Sequence, residues 1–331
     1  MEDLVLAFPF QLREALNQTE KFSLSPIVSA PEQILICGMG GSGIAGHLIE
    51  EVASGDLKIP LLLHKGYELP LFCSKNTLLI LSSYSGNTEE VLSIAKSAVK
   101  KQIPFIVISS GGNLVQIAEE NNLPHLQIPP GFPPRSYLGY SIIWLLYVLS
   151  QHNIISDKWK SLMSNAAEFL EQNQEDIKLF GDKNSIKLLG KTVFAIGELG
   201  CQSALLRLQQ QLNENAKVLC HYSLIPEMNH NELVGWRANN NHILPVFYLS
   251  GDEHPRNLER ILFTDNHIRS IYPELLTITA KGSNSLERRL YLIHLSDYMS
   301  CCLSRLQGYD PIEIDILLRL KKHMSNIPNN S

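Results

Sequence analysis

The chain has 331 residues, of which 44% are hydrophobic and 18% charged, and its formal net charge is −5. This length and hydrophobic content are sufficient for two domains with buried cores. The acidic balance, without a basic run, excludes a general nucleic-acid-binding surface. The 6 cysteines lack C-x-x-C spacing and fall mostly in apolar segments, as reduced thiols do, so we expect a cytoplasmic protein.

The apolar segments do not indicate a membrane protein. The stretch at 1–16 is acidic early, and its apolar run is shorter than that of a signal peptide. Elsewhere no apolar stretch reaches the ~20 residues that a membrane-spanning helix needs. We therefore expect neither a signal peptide nor a membrane partner.

The first elements lead into a glycine-rich loop. An amphipathic pattern predicts a helix over residues 3–17, and the first strong strand follows at 33–37. This strand runs directly into GMGGSGIAG, in which Gly38, Gly40 and Gly43 satisfy G-x-G-x-x-G between a strand and a helix. That pattern is typical of dinucleotide-binding domains.

The second strand argues against a dinucleotide. In dinucleotide-binding folds this strand ends in an acidic residue ~20 positions after the glycines, which binds a ribose hydroxyl. Here the predicted strand at 60–63 ends in His64 and Lys65. A ligand with one phosphate is more consistent with the sequence, because a second polar loop follows the third strand.

That second loop, SYSGNT, lies between a strand at 77–81 and an amphipathic helix. Ser83, Ser85 and Thr88 surround Gly86 and Asn87, which tolerate unusual backbone angles. Hydroxyls and backbone N–H groups can therefore converge on an anion at the helix N-terminus. The alternative is an ordinary loop whose Ser and Thr residues, or Asn87, only cap the helix.

The two loops are expected to form one site. Both follow strands of a parallel sheet, and ligands bind at the carboxyl ends of such strands. Gly41 and Ser42 of the first loop should then lie near Ser83, Ser85 and Thr88 of the second. One small monophosphate fits this arrangement.

The alternation of strands and helices continues to residue 128 and predicts a parallel, doubly wound sheet. Its last strands are predicted at 105–108 and 125–128, with a helix at 113–121 between them. Four prolines then lead into a strongly apolar helix, with Arg135 at its entrance. This arginine is either a surface charge or a guanidinium that faces the ligand.

The second half repeats the first. A polar helical segment at 151–185 precedes a strand at 192–196, the turn GELGCQS and another helix. The next strand, at 244–249, is followed by SGDEHPRN, which is acidic where SYSGNT is neutral. We interpret this as a duplicated αβα domain in which only the first copy keeps the phosphate site, with domains at 1–152 and 153–331.

Three regions of the second half carry candidate catalytic side chains. Glu214 lies in NENAK, and His230 lies in the irregular polar stretch EMNHNELVGW. The C-terminal helix carries Lys321 and Lys322. Each has an ordinary alternative, since a surface Glu, a structural His and lysines that complement a helix dipole are common.

Together these motifs resemble the bifunctional phosphoglucose/phosphomannose isomerase family, which is built from two sugar-isomerase (SIS) domains. The resemblance covers nearly the whole chain. GMGGSG and SYSGNT by themselves indicate only a sugar-phosphate-binding domain. The isomerase branch is indicated by the motifs that follow in order: the Pro134-Arg135 pair, NENAK, NHNE around His230 and DPIEIDILLRLKK.

The resemblance implies roles for individual residues. The family's phosphate-binding positions match Gly41, Ser42, Ser83, Ser85 and Thr88. Its catalytic positions match Glu214 as the base between C1 and C2, Arg135 at the enediolate, His230 in ring opening and Lys321, or the adjacent Lys322, at the ring and hydroxyl oxygens. The family also implies a C-terminal helix near the active site, and a homodimer in which the histidine enters the partner's site.

The implied activity is a metal-independent aldose–ketose isomerisation of glucose 6-phosphate and fructose 6-phosphate through an enediol, without a cofactor. Acceptance of mannose 6-phosphate is linked in the family to a threonine near the C-terminal helix, where glucose-specific enzymes carry glutamine. This chain has neither residue there; Ile312 or Ile314 would line that wall. Single specificity, or another sugar, therefore stays open.

Two other classes remain. One is another SIS enzyme of the glucosamine-phosphate aminotransferase type, but those carry a glutaminase domain with an N-terminal cysteine, whereas residue 2 here is Glu2. The other is a non-catalytic sugar-phosphate sensor, which usually brings a basic helix-turn-helix domain that this chain lacks. A sensor would bind the hexose phosphate without needing Glu214.

Overall fold

The computed structural model describes residues 1–237 and 241–327, and in these residues the strands form two separate sheets. The first sheet contains β1 (Gln33–Gly38), β2 (Leu61–His64), β3 (Thr77–Ser82), β4 (Phe105–Ser109) and β5 (His125–Gln127). The second contains β6 (Thr192–Glu198), β7 (Cys220–Ile225), β8 (Ile243–Leu249) and β9 (Leu276–Thr279).

The helices alternate with the strands in both halves. In the first half they are α1 (Glu2–Leu6), α2 (Phe8–Lys21), α3 (Gly40–Ala53), α4 (Glu89–Lys100), α5 (Asn113–Glu120) and α6 (Leu138–Gln151). In the second half they are α7 (Lys158–Gln172), α8 (Gln174–Asn184), α9 (Gln202–Asn215), α10 (Pro255–Ile271), α11 (Ser285–Gln307) and α12 (Asp315–Ser325). Short 3-10 turns lie at Pro134–Ser136, Ser185–Leu188, Leu199–Cys201, Glu227–His230 and Glu232–Gly235.

Both sheets are parallel and share one strand order. The first runs β2-β1-β3-β4-β5 and the second β7-β6-β8-β9, with every neighbouring pair parallel. The second sheet therefore repeats the first with one strand fewer. This confirms the predicted α/β class with doubly wound sheets, and it places β6 and β8 at the positions of β1 and β3.

The strands form here because both of their faces are apolar. In β1, Ile34 and Ile36 point into one core, whereas Leu35 and Cys37 point into the other. The first of these cores continues into the second sheet, where Val193 contributes to it. One hydrophobic core thus fills the space between the two sheets, and it is lined by apolar side chains of α3, α6, α9 and α11.

The sequence predicted one continuous N-terminal helix, and this prediction is wrong. The structure has two helices, α1 and α2, joined at Ala7. The reason is Pro9, in the first turn of α2. A proline has no N–H to donate to the carbonyl four residues earlier, so it favours a new helix start over a helix interior.

The predicted boundary between residues 152 and 153 falls in the connection between α6 and α7. It stays a prediction, since α7 packs against α2 of the first half and the large core is shared. Within the described parts of the chain, no helix combines the length and apolar character that crossing a bilayer requires.

Candidate active site

The glycine loop after β1 lets α3 begin close against the strand. A Cβ on Gly43 would lie 2.8 Å from the carbonyl oxygen of Gly38, which is nearer than real Cβ atoms come to backbone. Met39, the residue before α3, makes no side-chain capping hydrogen bond. The N–H groups in the first turn of α3 are therefore not covered by a capping side chain. Ser42, in this first turn, is buried.

Two hydroxyls of SYSGNT, those of Ser83 and Thr88, face each other, and Thr88 does not cap α4. The Oγ atoms of Ser83 and Thr88 lie 2.7 Å apart, and although Thr88 immediately precedes α4, its side chain makes no capping hydrogen bond. Asn87 Oδ1 instead accepts from the N–H of Asn113 at 3.0 Å. Neither residue therefore caps its own helix, which argues against the loop being only a helix start.

The conformation of this loop depends on Gly86. Its φ is +63°, and a Cβ there would lie 1.7 Å from the carbonyl oxygen of Gly111, so only glycine fits. Ser85 is exposed at the loop tip, and its Oγ accepts from the N–H of Asn87 at 3.2 Å.

The two loops meet, as the sequence predicted. The N–H of Tyr84 donates to Ser42 Oγ at 3.3 Å, which joins SYSGNT to the first turn of α3. On the other side, a Cβ on Gly41 would lie 3.4 Å from the Cα of Arg135. The structure thus brings Gly41, Ser42, the SYSGNT hydroxyls and the backbone of Arg135 to one edge of the first sheet.

Arg135 extends from this edge to the second half of the chain. Its side chain is only 3% exposed, and each guanidinium nitrogen has a partner. Nε donates to Asn215 Oδ1 at 2.7 Å, Nη1 donates to Glu214 Oε2 at 3.0 Å, and Nη2 donates to the carbonyl of Pro311. Burial lowers the pKa of Arg135, and the nearby Glu214 carboxylate opposes that shift.

A buried ion pair holds the other end of Arg135. Arg207 Nη2 donates to the backbone carbonyl of Arg135 at 2.6 Å, and Arg207 binds both carboxylate oxygens of Asp297 at 2.7 Å. Arg207 and Asp297 are 1% and 4% exposed. Burial raises the pKa of Asp297, and Arg207 opposes this shift, as expected of a desolvated pair.

Glu214 is the most accessible acid of this arrangement. Its side chain is 29% exposed, whereas Asn215 beside it is fully buried and donates from Nδ2 to Ser300 Oγ at 2.8 Å. The carboxylate is therefore held by Arg135 on one side and open to solvent on the other. Such a group can exchange protons with a small molecule bound beside the two loops.

His230 is not part of this arrangement within one chain. Glu214 lies at the C-terminal end of α9, before β7, whereas His230 is in the 3-10 turn that follows β7. The six residues of β7 separate the two ends of the strand by roughly 17 Å. Glu214 and His230 thus lie at opposite edges of the second sheet, and His230 is exposed.

Lys321 and Lys322 lie on α12, a helix with no buried residue. Among the described residues neither lysine forms a hydrogen bond or an ion pair with Glu214 or Arg135. The segment before this helix, residues 308–314, does reach the site through the carbonyl of Pro311. We call this segment the C-terminal strap; it contains Ile312 and Ile314.

In the second sheet, the loop that corresponds to SYSGNT binds a carboxylate of its own, that of Glu253. After β8, the carboxylate of Glu253 accepts from Ser250 Oγ at 2.9 Å and from the N–H of Gly251 at 3.0 Å. These donors correspond in position to those of SYSGNT. An internal carboxylate in this place is consistent with a phosphate site in the first copy alone.

Sequence reasoning missed several supporting residues. The motifs do not indicate Asn215, Arg207 or Asp297, which bind the side chain of Arg135, its backbone carbonyl and Arg207, respectively. Arg207 and Asp297 could have been found from the sequence, since each is a charged residue within an apolar helical segment, LLRLQQQL and HLSDYMS. If those helices are buried, the two charges must be paired.

Lys65, which follows the second strand, lies close to a histidine of α3. Its Nζ lies 3.2 Å from His47 Nε2 behind the glycine loop, and burial, with the charge of Lys65, lowers the pKa of His47 to about 4. His47 is therefore neutral at physiological pH. As for metals, the described ranges contain no group of three or more His, Cys, Asp or Glu residues that could hold an ion.

The chain is similar to known proteins in sequence and in fold. Residues 181–324 match the family described as the bacterial phospho-glucose isomerase C-terminal SIS domain. The chain is 30% identical to a bifunctional phosphoglucose/phosphomannose isomerase of Caldicellulosiruptor bescii over 99% of both chains. It is 31% identical to the Aquifex aeolicus protein of the same name, over 93% of this chain and 95% of the relative.

Among solved structures, the fold is similar to the tagatose-6-phosphate ketose/aldose isomerase of Escherichia coli, with a TM-score of 0.70 and 16% identity over 94% of this chain and 95% of that one. At this identity the likeness concerns the fold alone, an α/β fold with parallel sheets. The full-length sequence similarity goes further. The chain belongs to the bifunctional phosphoglucose/phosphomannose isomerase family.

Proposed function

We propose that this protein is a sugar-phosphate isomerase that interconverts glucose 6-phosphate and fructose 6-phosphate through an enediol. The observation that carries the proposal is the contact of Arg135 with both parts of the site. Its backbone lies against Gly41 in the phosphate loop, and its guanidinium binds Glu214. The phosphate site and the carboxylate base are thus separated by the length of one arginine side chain. This length is comparable with the distance between the C6 phosphate of an open-chain hexose and its C1 and C2 atoms.

The phosphate end is proposed to use the backbone N–H groups and the hydroxyls of the two loops. Gly41 and Ser42 at the start of α3, with Ser83, Ser85 and Thr88 at the start of α4, surround the same edge of the first sheet. Two helix N-termini and four hydroxyls are suited to a dianion. Because these groups bind substrate and product equally, they should affect binding more than chemistry.

The reacting end is proposed to use Glu214 and Arg135. With fructose 6-phosphate, Glu214 takes a proton from C1, the electron pair forms the C1–C2 double bond, and the negative charge goes to O2. The Arg135 guanidinium stabilises this charge. The O1 hydroxyl proton then moves to O2, its electron pair forms the C1=O1 carbonyl, and the C1–C2 double-bond pair takes the proton back from Glu214 at C2, which completes the aldose. Each step balances without a metal or cofactor.

Ring opening is assigned to His230 of a second chain. Within one chain, the length of β7 separates His230 from Glu214, so His230 can act only if dimerisation brings it to the partner's Glu214. We therefore propose a homodimer with two shared sites. Lys321 is retained as the candidate lysine at the sugar oxygens, with Lys322 as the alternative, and a cytoplasmic location remains part of this proposal.

The test is proton NMR of the purified protein with fructose 6-phosphate, in the presence of EDTA. We expect the anomeric signals of glucose 6-phosphate to appear, and those of mannose 6-phosphate as well if the wall near Ile312 and Ile314 admits both epimers. A protein that produces neither aldose, yet is stabilised against heat by fructose 6-phosphate, would be a sugar-phosphate sensor and would contradict the proposal.

A further inference from the structure

Lys217 is a cation beside the site to which the proposed mechanism assigns no role. It lies two residues beyond the end of α9, in a left-handed conformation with φ +56°. Residues other than glycine and asparagine rarely adopt that conformation, because Cβ approaches the backbone. Its side chain is half-buried, at 24% exposure, and this partial burial lowers the pKa of Lys217.

The ammonium of Lys217 is fully used by backbone carbonyls. Nζ donates to the carbonyl of Glu214 at 2.8 Å, to that of Asp310 at 2.9 Å and to that of Glu313 at 2.7 Å. An ammonium has three N–H donors, so all of them are occupied. The Glu313 carboxylate is further away, at 3.8 Å and 43% exposed, and contributes little by comparison.

Two of these carbonyls belong to the C-terminal strap. The strap begins at Gly308, the left-handed C-cap of α11, and Ser304 Oγ donates to the carbonyl of Tyr309 at 2.8 Å. Between the carbonyls bound by Lys217 lies Pro311, whose own carbonyl accepts from Arg135. Lys217 and Arg135 therefore fasten the same segment to the site.

We propose that Lys217 is a positioning residue that holds the C-terminal strap against the Glu214–Arg135 pair. The inference rests on the proposed isomerase function, which it deepens. Lys217 fixes the backbone of Glu214 and, through the strap, the carbonyl that orients Arg135. It also sets the position of Ile312 and Ile314 relative to the sugar, and so the preference between C2 epimers.

The test compares Lys217→Met with a matched control, Lys191→Met. Lys191 is similarly half-buried, at 21% exposure, and donates to a backbone carbonyl, that of Asn241, at 2.7 Å. It lies before β6, far along the chain from the strap. Both variants remove one lysine with its carbonyl contact, so a general loss of stability would affect both.

For Lys217→Met we expect kcat to fall about 10- to 100-fold, as a displaced catalytic group produces. KM for fructose 6-phosphate should change less than about 3-fold, since the phosphate loops are untouched. The ratio of the two aldose products should shift, and the amides of residues 308–314 should exchange hydrogen faster than in the wild type. Lys191→Met should show none of these changes.

Lys217→Arg separates positioning from charge. A planar guanidinium cannot reproduce three carbonyl contacts from one nitrogen, so we expect this variant to remain well below wild-type kcat. Wild-type kcat and product ratio in Lys217→Arg would overturn the proposal, as would a slow Lys217→Met whose strap amides exchange at the wild-type rate.

The same measurements distinguish failure of the isomerase proposal from failure of the role proposed for Lys217. If the wild-type protein itself isomerises nothing, the proposed function fails, whatever the exchange data show. If the wild type is active and Lys217→Met matches it in kcat and product ratio, the isomerase proposal stands and the role of Lys217 is overturned.

Discussion

At the scale of single residues, the site depends on one arginine whose environment the sequence does not reveal. Arg135 can be recognised as a candidate because it follows a strand end, and Glu214 through its motif. Arg135 and Glu214 are 79 positions apart in the sequence, and Arg135 and Asn215, which accepts from Nε, are 80 positions apart. No local pattern predicts such contacts, since they depend on how the two halves pack.

A second residue-scale consequence concerns His294, which is fully buried in α11, with its ring centroid 5.7 Å from that of Phe8. Burial lowers the pKa of His294 to about 4, below its ordinary 6.5. As pH falls below 6.5, the unfolded chain binds a proton that the folded chain cannot accept. Stability contributed by this group is therefore complete above pH 6.5 and is lost on acidification towards pH 4.

We accordingly predict that His294→Leu reduces the acid sensitivity of the fold. Between pH 7 and pH 5, the free energy of unfolding of the variant should fall by about 2 kcal/mol less than that of the wild type. Urea denaturation of both proteins at the two pH values measures this difference. Equal losses in the two proteins would contradict the assigned burial effect.

At the scale of elements, α9 links the two halves of the chain. Its C-terminal end supplies Glu214, and its N-terminal end is capped from the first half. Glu51, near the C-terminal end of α3, accepts from both the N–H and the Oγ of Ser203 at 2.5 Å. A carboxyl group at a helix N-terminus satisfies first-turn N–H groups that have no partner within the helix.

We predict that Glu51→Ala lowers the free energy of unfolding by about 1–2 kcal/mol, because it removes this cap and leaves the Ser203 groups without their partner. Glu50→Ala is the matched control, since Glu50 is the adjacent residue and its side chain is half exposed. Denaturant titration of both variants tests the prediction. A loss as large in Glu50→Ala would mean that the cap is not responsible.

Most elements could be predicted from the sequence, because the strands are short, apolar on both faces and followed by turn residues. The break between α1 and α2 was missed because the amphipathic pattern continues across it, although Pro9 was a readable signal. The hydroxyls of SYSGNT could be recognised, but the choice between capping and ligand binding needed the contacts of Thr88 and Asn87. The amphipathic pattern of α12 predicts a buried apolar face, but the helix has no buried residue, so its position could not be predicted from the sequence.

At the scale of the whole molecule, the site lies between unlike edges of two similar sheets. The carboxyl edge of the first sheet supplies the phosphate loops and Arg135, and the amino edge of the second supplies Glu214. The two halves therefore share one strand order, and the proposed site uses one edge of each. The carboxyl edge of the second sheet, with His230, is left facing away from its own site.

This geometry predicts complementation between two inactive variants, Glu214→Gln and His230→Ala. In a mixed dimer, one site combines the intact Glu214 of the His230→Ala chain with the intact His230 of the other chain. After subunit exchange, half of the dimers are mixed, so activity should recover to about a quarter of the wild-type value. Recovery is measured as glucose 6-phosphate formed per total protein; no recovery would place His230 and Glu214 in the same chain's site.

The central claim is that Glu214 carries the proton between C1 and C2. The measurement that tests it most directly is deuterium incorporation at C2 of glucose 6-phosphate formed from fructose 6-phosphate in deuterated water. We predict incorporation by the wild type and by Glu313→Gln, a strap carboxylate used as control. Glu214→Gln should be slower by at least about 100-fold, with fructose 6-phosphate still raising its Tm. Wild-type incorporation by Glu214→Gln would contradict the account.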